Sequence, residues 1–235
     1  MNRGEFLNII KNNIDKNDYH LTLVKGGQHP EFSYSIGLTE KLGFELIMAG
    51  GYISTENNEL IFRYIYNEFV SGKTVDSEFY PSEKESFYLG TVDASWSKDL
   101  MLGVYDYYSV DTIKAYQIIP KERTLDIPLM SEIKKADDPI WKWLDMDWNL
   151  TAPKNSYAIT DIYSLKGKTI TELTRWEDHV WEMFSGPGPD FQEEDIRIVS
   201  LGTILGIDPS LEPILKLEIG QGLWREDINF EWQDW

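Results

Sequence analysis

Residues 31–38, EFSYSIGL, impose a period of two on the chain. Phe32, Tyr34 and Ile36 fall on one face, and Ser33, Ser35 and Gly37 on the other, which is the pattern of a β-strand. The stretch before it, YHLTLV (19–24), alternates in the same way. KGGQHP lies between the two, rich in residues that break regular structure, so two strands joined by a turn are predicted. His29 and Glu31 sit where this turn ends. FELIMAGG (44–51) reads as a third strand closed by glycines, and SFYLGTVD (86–93) and KAYQIIP (114–120) as two more.

Helical spacing appears twice in this half. Phe6, Leu7, Ile10 and Ile14 form a stripe over 4–16. Leu60, Ile61, Tyr64, Ile65 and Phe69 form another over 56–71, with Ser54 or Thr55 as its cap. SWSKDLMLGVYDYYS fits neither period cleanly.

After residue 155 the pattern is again mainly that of strands. SYAITDIYSL (156–165) is predicted as one. KTITELTRWEDHVWEMFSG has two readings. One is a helix with Leu173, Trp176, Val180 and Phe184 in a stripe; the other is a hairpin turning at EDH. Its threonines and tryptophans favour the hairpin. GPGPD (186–190) reads as a rigid turn, and IRIVSLG as a strand. DPSLEPILKLEIG reads as a short helix with Asp208 as N-cap, Pro209 in the first position and Gly220 just past the end. GLWRED closes as a strand. The fold class expected is α+β: two packed modules with mixed or antiparallel sheets and few helices.

Composition supports a division near residue 135. Residues 1–135 hold 14 Lys and Arg against 20 Asp and Glu, and residues 136–235 hold 8 against 20. Eight of the nine tryptophans also follow residue 135. An N-terminal module over 1–135 and an acidic, tryptophan-rich module over 136–235 are expected. Residues 121–155 read as their connection, one that packs across the junction because Trp141, Trp143 and Trp148 would be costly left bare.

Several chemistries are excluded or left without support. The chain has no cysteine, so disulfides, thiolate catalysis and Cys-ligated zinc are out. The serines of SYSIG alternate within a strand and lack the strand-to-helix elbow of a serine hydrolase. His20, His29, Glu31 and Glu45, or the acidic clusters at Asp137, Asp138, Asp145 and Asp147 and at Glu193 to Asp195, show no metal-binding spacing. GPGPD and GQG lack the lysine of a phosphate loop. No metal or cofactor is expected. Net charge of −18 and the lack of a Lys/Arg cluster disfavour nucleic acid. The N-terminus shows no signal peptide and no apolar run long enough to span a bilayer, so no membrane partner and a cytoplasmic location are expected.

Two stretches resemble known bacterial modules. YHLTLV…PEFSYSIGLTEKLGFELIMAGG resembles the opening of the family catalogued as domain of unknown function 4262. Tyr19 and His20 stand where that family has Trp-His. Phe32, Tyr34, Ile36, Gly37 and Leu38 match its Phe-x-Tyr-Thr-x-Gly-Leu block, and Glu45, Leu46 and Ile47 its Pro-Glu-Leu-Ile block. Ser35 replaces the usual threonine and Phe44 the usual proline. AYQIIP with Pro128 looks like the end of the domain, so the likeness covers about 15–130. The second half carries Trp181, Met183 or Phe184, Gly186, Asp208, Pro209, Ser210, Leu211, Gly222, Arg225 and Trp232 in a pattern similar to small immunity-type proteins. Neither resemblance brings a catalytic residue with it.

The function expected is therefore a non-enzymatic binding protein, of the kind that neutralises a toxin. An acidic, aromatic surface of the second module would take a basic protein partner, a toxin or effector domain, by steering and plugging. DDPIWKWLDMDW and FEWQDW supply that chemistry. Trp141, Trp143, Asp145, Asp147, Trp148, Glu193, Glu194 and Asp195 are the candidate contacts. The alternative is an enzyme, or a small-ligand or metal-binding protein, with a pocket near His20, Tyr34 and Glu45.

Overall fold

The computed structural model describes residues 3–51, 55–187 and 190–235. Ser54, Gly188 and Pro189, on which the cap of the second helix and part of the GPGPD turn rest, lie outside them. The fold is α+β, built on two sheets.

The first sheet holds β1 (His20–Val24), β2 (Phe32–Ile36), β3 (Glu45–Ala49), β4 (Phe87–Thr91) and β5 (Ala115–Pro120), in the order β1-β2-β3-β5-β4. β3 and β5 run parallel and the other pairs antiparallel. Helices cover both faces. On one, α1 (Arg3–Asn17), α4 (Ala94–Leu100) and α5 (Leu102–Tyr108) pack on Phe32, Tyr34, Ile36, Ile47 and Ala49. On the other, α3 (Thr55–Val70) packs on Leu46, Met48, Tyr116 and Ile118. A short turn of helix, α2 (Thr39–Leu42), links β2 to β3.

The predicted stripe of α1 faces this core, with Ile10 fully buried. The stripe of α3 is rotated from the one predicted. Leu60 is exposed, and Phe62 and Tyr66 pack inward beside Ile61 and Ile65. The stretch that fitted neither period forms two helices. Asp93 caps α4 by accepting the Ser95 amide at 2.8 Å, and the chain breaks at Met101 before α5.

The second sheet holds β6 (Tyr157–Asp161), β7 (Glu172–Arg175), β8 (Val180–Phe184), β9 (Ile196–Ser200), β10 (Gly222–Trp224) and β11 (Gln233–Asp234), ordered β11-β10-β7-β8-β6-β9. β6 and β8 are parallel and the remaining pairs antiparallel. The hairpin reading of 169–185 holds: β7 and β8 pair antiparallel around Trp176–His179. Two strands end earlier than predicted, each at a capping residue. Asp161 stops β6 and caps α6 (Ile162–Leu165) through the Ser164 amide at 2.8 Å. Ser200 stops β9 and caps α7 (Leu201–Ile207) through the Thr203 amide. DPSLEPILKLEIG makes a 3-10 helix over Pro209–Lys216, capped by Asp208. With α7 it covers the inner face, packing Leu201, Ile204, Leu205, Leu211 and Leu215 on Leu173, Trp181 and Met183.

Residues 121–155 wedge between the sheets. The Trp141 ring lies in the first core, stacked over His29 and edge-on to Trp96. Gln28 of the β1–β2 loop donates to the Trp143 carbonyl. Gly202 of α7 faces the Gln28 carbonyl and the Trp143 ring so closely that a Cβ there would overlap both. Gly206 meets Ile140 with the same tightness. Backbone approach of this kind needs glycine because any side chain would part the halves.

Candidate functional site

The histidine pocket does not assemble around the three residues expected to line it. Glu45 is fully buried and ringed by donors. It accepts the Ser35 hydroxyl at 2.6 Å, the Thr39 hydroxyl at 2.8 Å, and the amides of Gly37, Leu38 and Thr39 at 3.1, 3.3 and 2.9 Å. Tyr108 of α5 adds its hydroxyl at 3.3 Å. Burial pushes the carboxyl above its ordinary value, and these donors pull the other way. Its task is to hold the chain between β2 and β3, where Gly37 takes a left-handed φ of 116°.

Tyr34 is buried in the first core, with its hydroxyl accepting the Gly103 amide at 3.2 Å. His20 lies half-buried at the end of β1, its Nδ1 2.8 Å from Asn13 Nδ2, and burial lowers its pKa. The shallow cleft beside it is lined by Asn13, Tyr19, Glu59 and Arg63, and not by Tyr34 or Glu45. Among the described residues no three His, Asp or Glu side chains gather as metal ligands.

The expected partner contacts also separate. Trp141 is 0% exposed and Trp143 4%, so neither can meet a partner. Both are structural: tryptophan's area favours burial where two halves must be filled. Trp148 is half-buried against Trp143, with its indole donating to the Ala152 carbonyl at 2.6 Å. Asp145, Asp147, Glu193 and Glu194 are exposed, Asp195 partly so, and Asp145 is paired with the buried Lys135.

A different surface has the chemistry that those residues were expected to supply. The outer face of the second sheet is not covered by helices, and strand register defines its occupants. Glu172 and Thr174 of β7 point outward, because Leu173 between them is in the core. One cross-strand row runs Gly222, Thr174, Glu182, Ile159, Ile198. Beside it, Trp224 pairs with Glu172. Trp176, just beyond β7, is 53% exposed and donates its indole N–H to Glu182 at 3.3 Å. Trp235 is 71% exposed and lies over Gly222, where a Cβ would strike its ring. Phe191 covers Phe184 at one end of the face, and Val180 on the same face is also buried. The row and its neighbours Trp176, Trp224 and Glu172 include no Lys or Arg.

Sequence reasoning treated Trp176 only as a helix-or-hairpin clue. The signal was present in ELTRW: Glu172, Thr174 and Trp176 share one parity, and Leu173 and Arg175 the other. FEWQDW was singled out, and its last residue is part of this face.

The residues behind the second-half resemblance hold the fold instead. Arg225, buried, pairs with Asp208 at 3.1 Å, donates to the Ile170 carbonyl at 2.9 Å and lies under the Trp232 ring at 4.3 Å. Among the described residues, no helix is long and apolar enough to cross a membrane.

No curated protein and no solved structure matches the chain. Residues 13–128 match a family model described as "Domain of unknown function (DUF4262)". The match takes in the first sheet, α3 to α5 and part of α1, and stops before the second sheet begins. The first half of the chain is therefore similar to this domain over residues 13–128.

Proposed function

We propose that the protein is a non-enzymatic, cytoplasmic binding protein that takes a basic protein partner on the outer face of its second sheet, as an immunity protein takes its toxin. The observation that carries this reading is the uncovered face itself, where Trp176, Trp224 and Trp235 stand among Glu172 and Glu182. Aromatic side chains bring much contact area at little entropic cost, and tryptophan is enriched at interface hot spots. Carboxylates around them, on a chain of net charge −18, attract a cationic partner from a distance and disfavour anionic ones. The second-half likeness to immunity-type proteins adds weight.

The test uses the product of the gene adjacent to this one, titrated into the full chain. Binding is expected to weaken at least about tenfold in Trp176→Ala and in Trp235→Ala, and to fall steeply with added salt. Binding that is unchanged by both substitutions, or the lack of any complex with an adjacent toxin-type product, overturns the proposal.

A further inference from the structure

The two halves meet along a cleft of about 450 Å³, large enough for a small organic molecule. Its walls come from both sides. The β1–β2 loop supplies Lys25 and Glu31, and Asp126 belongs to the connecting wedge. Opposite them, Ser156 and Tyr157 lie at the start of β6, and Ile198 on the edge strand β9.

Two polar atoms in this lining are unsatisfied. Asp126, 2% exposed, accepts the Gly51 amide on Oδ2 at 2.6 Å. Its Oδ1 has no hydrogen-bond partner among the described residues. Ser156, 1% exposed, leaves its Oγ in the same state. Buried polar atoms are almost always paired, and a bare one costs about 1–3 kcal/mol. Here the two bare atoms belong to opposite walls of one cleft, just behind its surface. Parting the halves would open both to a hydrogen-bond donor in the cleft.

We propose that this cleft binds a small primary amine, with its ammonium group donating to Asp126 Oδ1 and Ser156 Oγ. Asp126 and Glu31 face the cleft with Lys25, and the Arg123 guanidinium lies near Asp126; the two bare acceptor oxygens, not the charge balance, select a donor. Pro30, Tyr157 and Ile198 offer apolar surface for an alkyl or aromatic body. Ammonium supplies three donors and no acceptor, matching two oxygens that lack donors. Burial also holds the Asp126 carboxyl above its ordinary value, against the pull of Thr124 and the Gly51 amide. A bound ammonium lowers it again, so binding strengthens as pH rises through the carboxyl's raised value. The site shares Ile198 with the far end of the outer-face row but none of Trp176, Trp224, Trp235, Glu172 or Glu182, so either proposal can fail alone.

Isothermal titration of the full chain with butylamine and phenethylamine tests the proposal, with 1-butanol and butyrate as controls. At least one amine is expected to bind saturably below about 10 mM, with neither control binding. Asp126→Asn is expected to weaken it about tenfold and Ser156→Ala about threefold. Glu31→Lys, at the exposed mouth, keeps the test open should Asp126→Asn not fold, and is expected to weaken binding severalfold. The proposal is overturned if neither amine binds, if butanol binds as well as the amines, or if binding survives Ser156→Ala and Glu31→Lys unchanged.

Discussion

β2 and β3 of the first sheet are buried at every position, while β9 and β10 of the second are nowhere fully buried. The difference decides what polar residues can do. With helices on both faces, the first sheet must satisfy Ser35, Glu45 and Gln117 internally. Glu45 gathers the β2–β3 connection. Gln117 pins the connecting wedge, donating to the Pro128 carbonyl at 2.7 Å and accepting the Met130 amide at 3.2 Å. The second sheet has a helical cover on one face only. Its outward Glu172, Thr174 and Glu182 have solvent beside them and tryptophans around them. A buried carboxylate in the first half is thus a structural device, whereas Glu172 and Glu182 in the second are only half-buried and stand at the surface.

This contrast can be broken by substitution. The largest effect is expected from Trp141→Ala, which empties a fully buried site between the halves. A loss of about 3–5 kcal/mol, read from denaturant unfolding, is predicted. Next is Glu45→Gln, which keeps the shape but sets an amide N–H₂ against a ring of donors. About 2–3 kcal/mol is expected, with the first sheet's amides exchanging faster. Trp176→Ala and Trp235→Ala should change stability by no more than about 0.5 kcal/mol, because neither is in a core. A large destabilisation in either would mean that the outer face is structural after all.

The pH dependence sharpens the same point. Burial raises the carboxyls of Asp126 and Asp138. A raised carboxyl keeps its proton in the folded chain where the unfolded chain releases it. Its stabilising contribution is therefore full below the ordinary carboxyl range and is lost as pH rises through the raised value. Urea midpoints should fall as pH rises above the ordinary carboxyl range, and Asp126→Asn should flatten the slope.

Much of the fold could be read before the structure. Alternation marked the first two strands of the first sheet, because Phe32, Tyr34 and Ile36 obey a period that no helix shares. The hairpin at 169–185 followed from β-branched and aromatic residues. IRIVSLG was read as a strand through Gly202, since a short apolar run looks alike as buried strand or buried helix; the Ser200 cap starts a helix at Leu201 instead. Trp141 and Trp143 were misplaced for another reason. A tryptophan beside aspartates is amphipathic in sequence, but which half of that character the fold uses depends on what lies across the junction. Trp235 reaches the outer face only because β11 pairs with β10, a contact fixed by topology and not by local pattern. His29 and Glu31, at the end of the first turn, proved to sit at the junction: His29 under Trp141, Glu31 at the mouth of the cleft.

Amide hydrogen exchange on the complex with the adjacent gene's product tests the central claim most directly. The account predicts new protection confined to β7, β8, β10, β11 and the Trp176 turn, with the first sheet unchanged. Protection concentrated on the first half, with β7 and β10 exchanging as in the free protein, would contradict it.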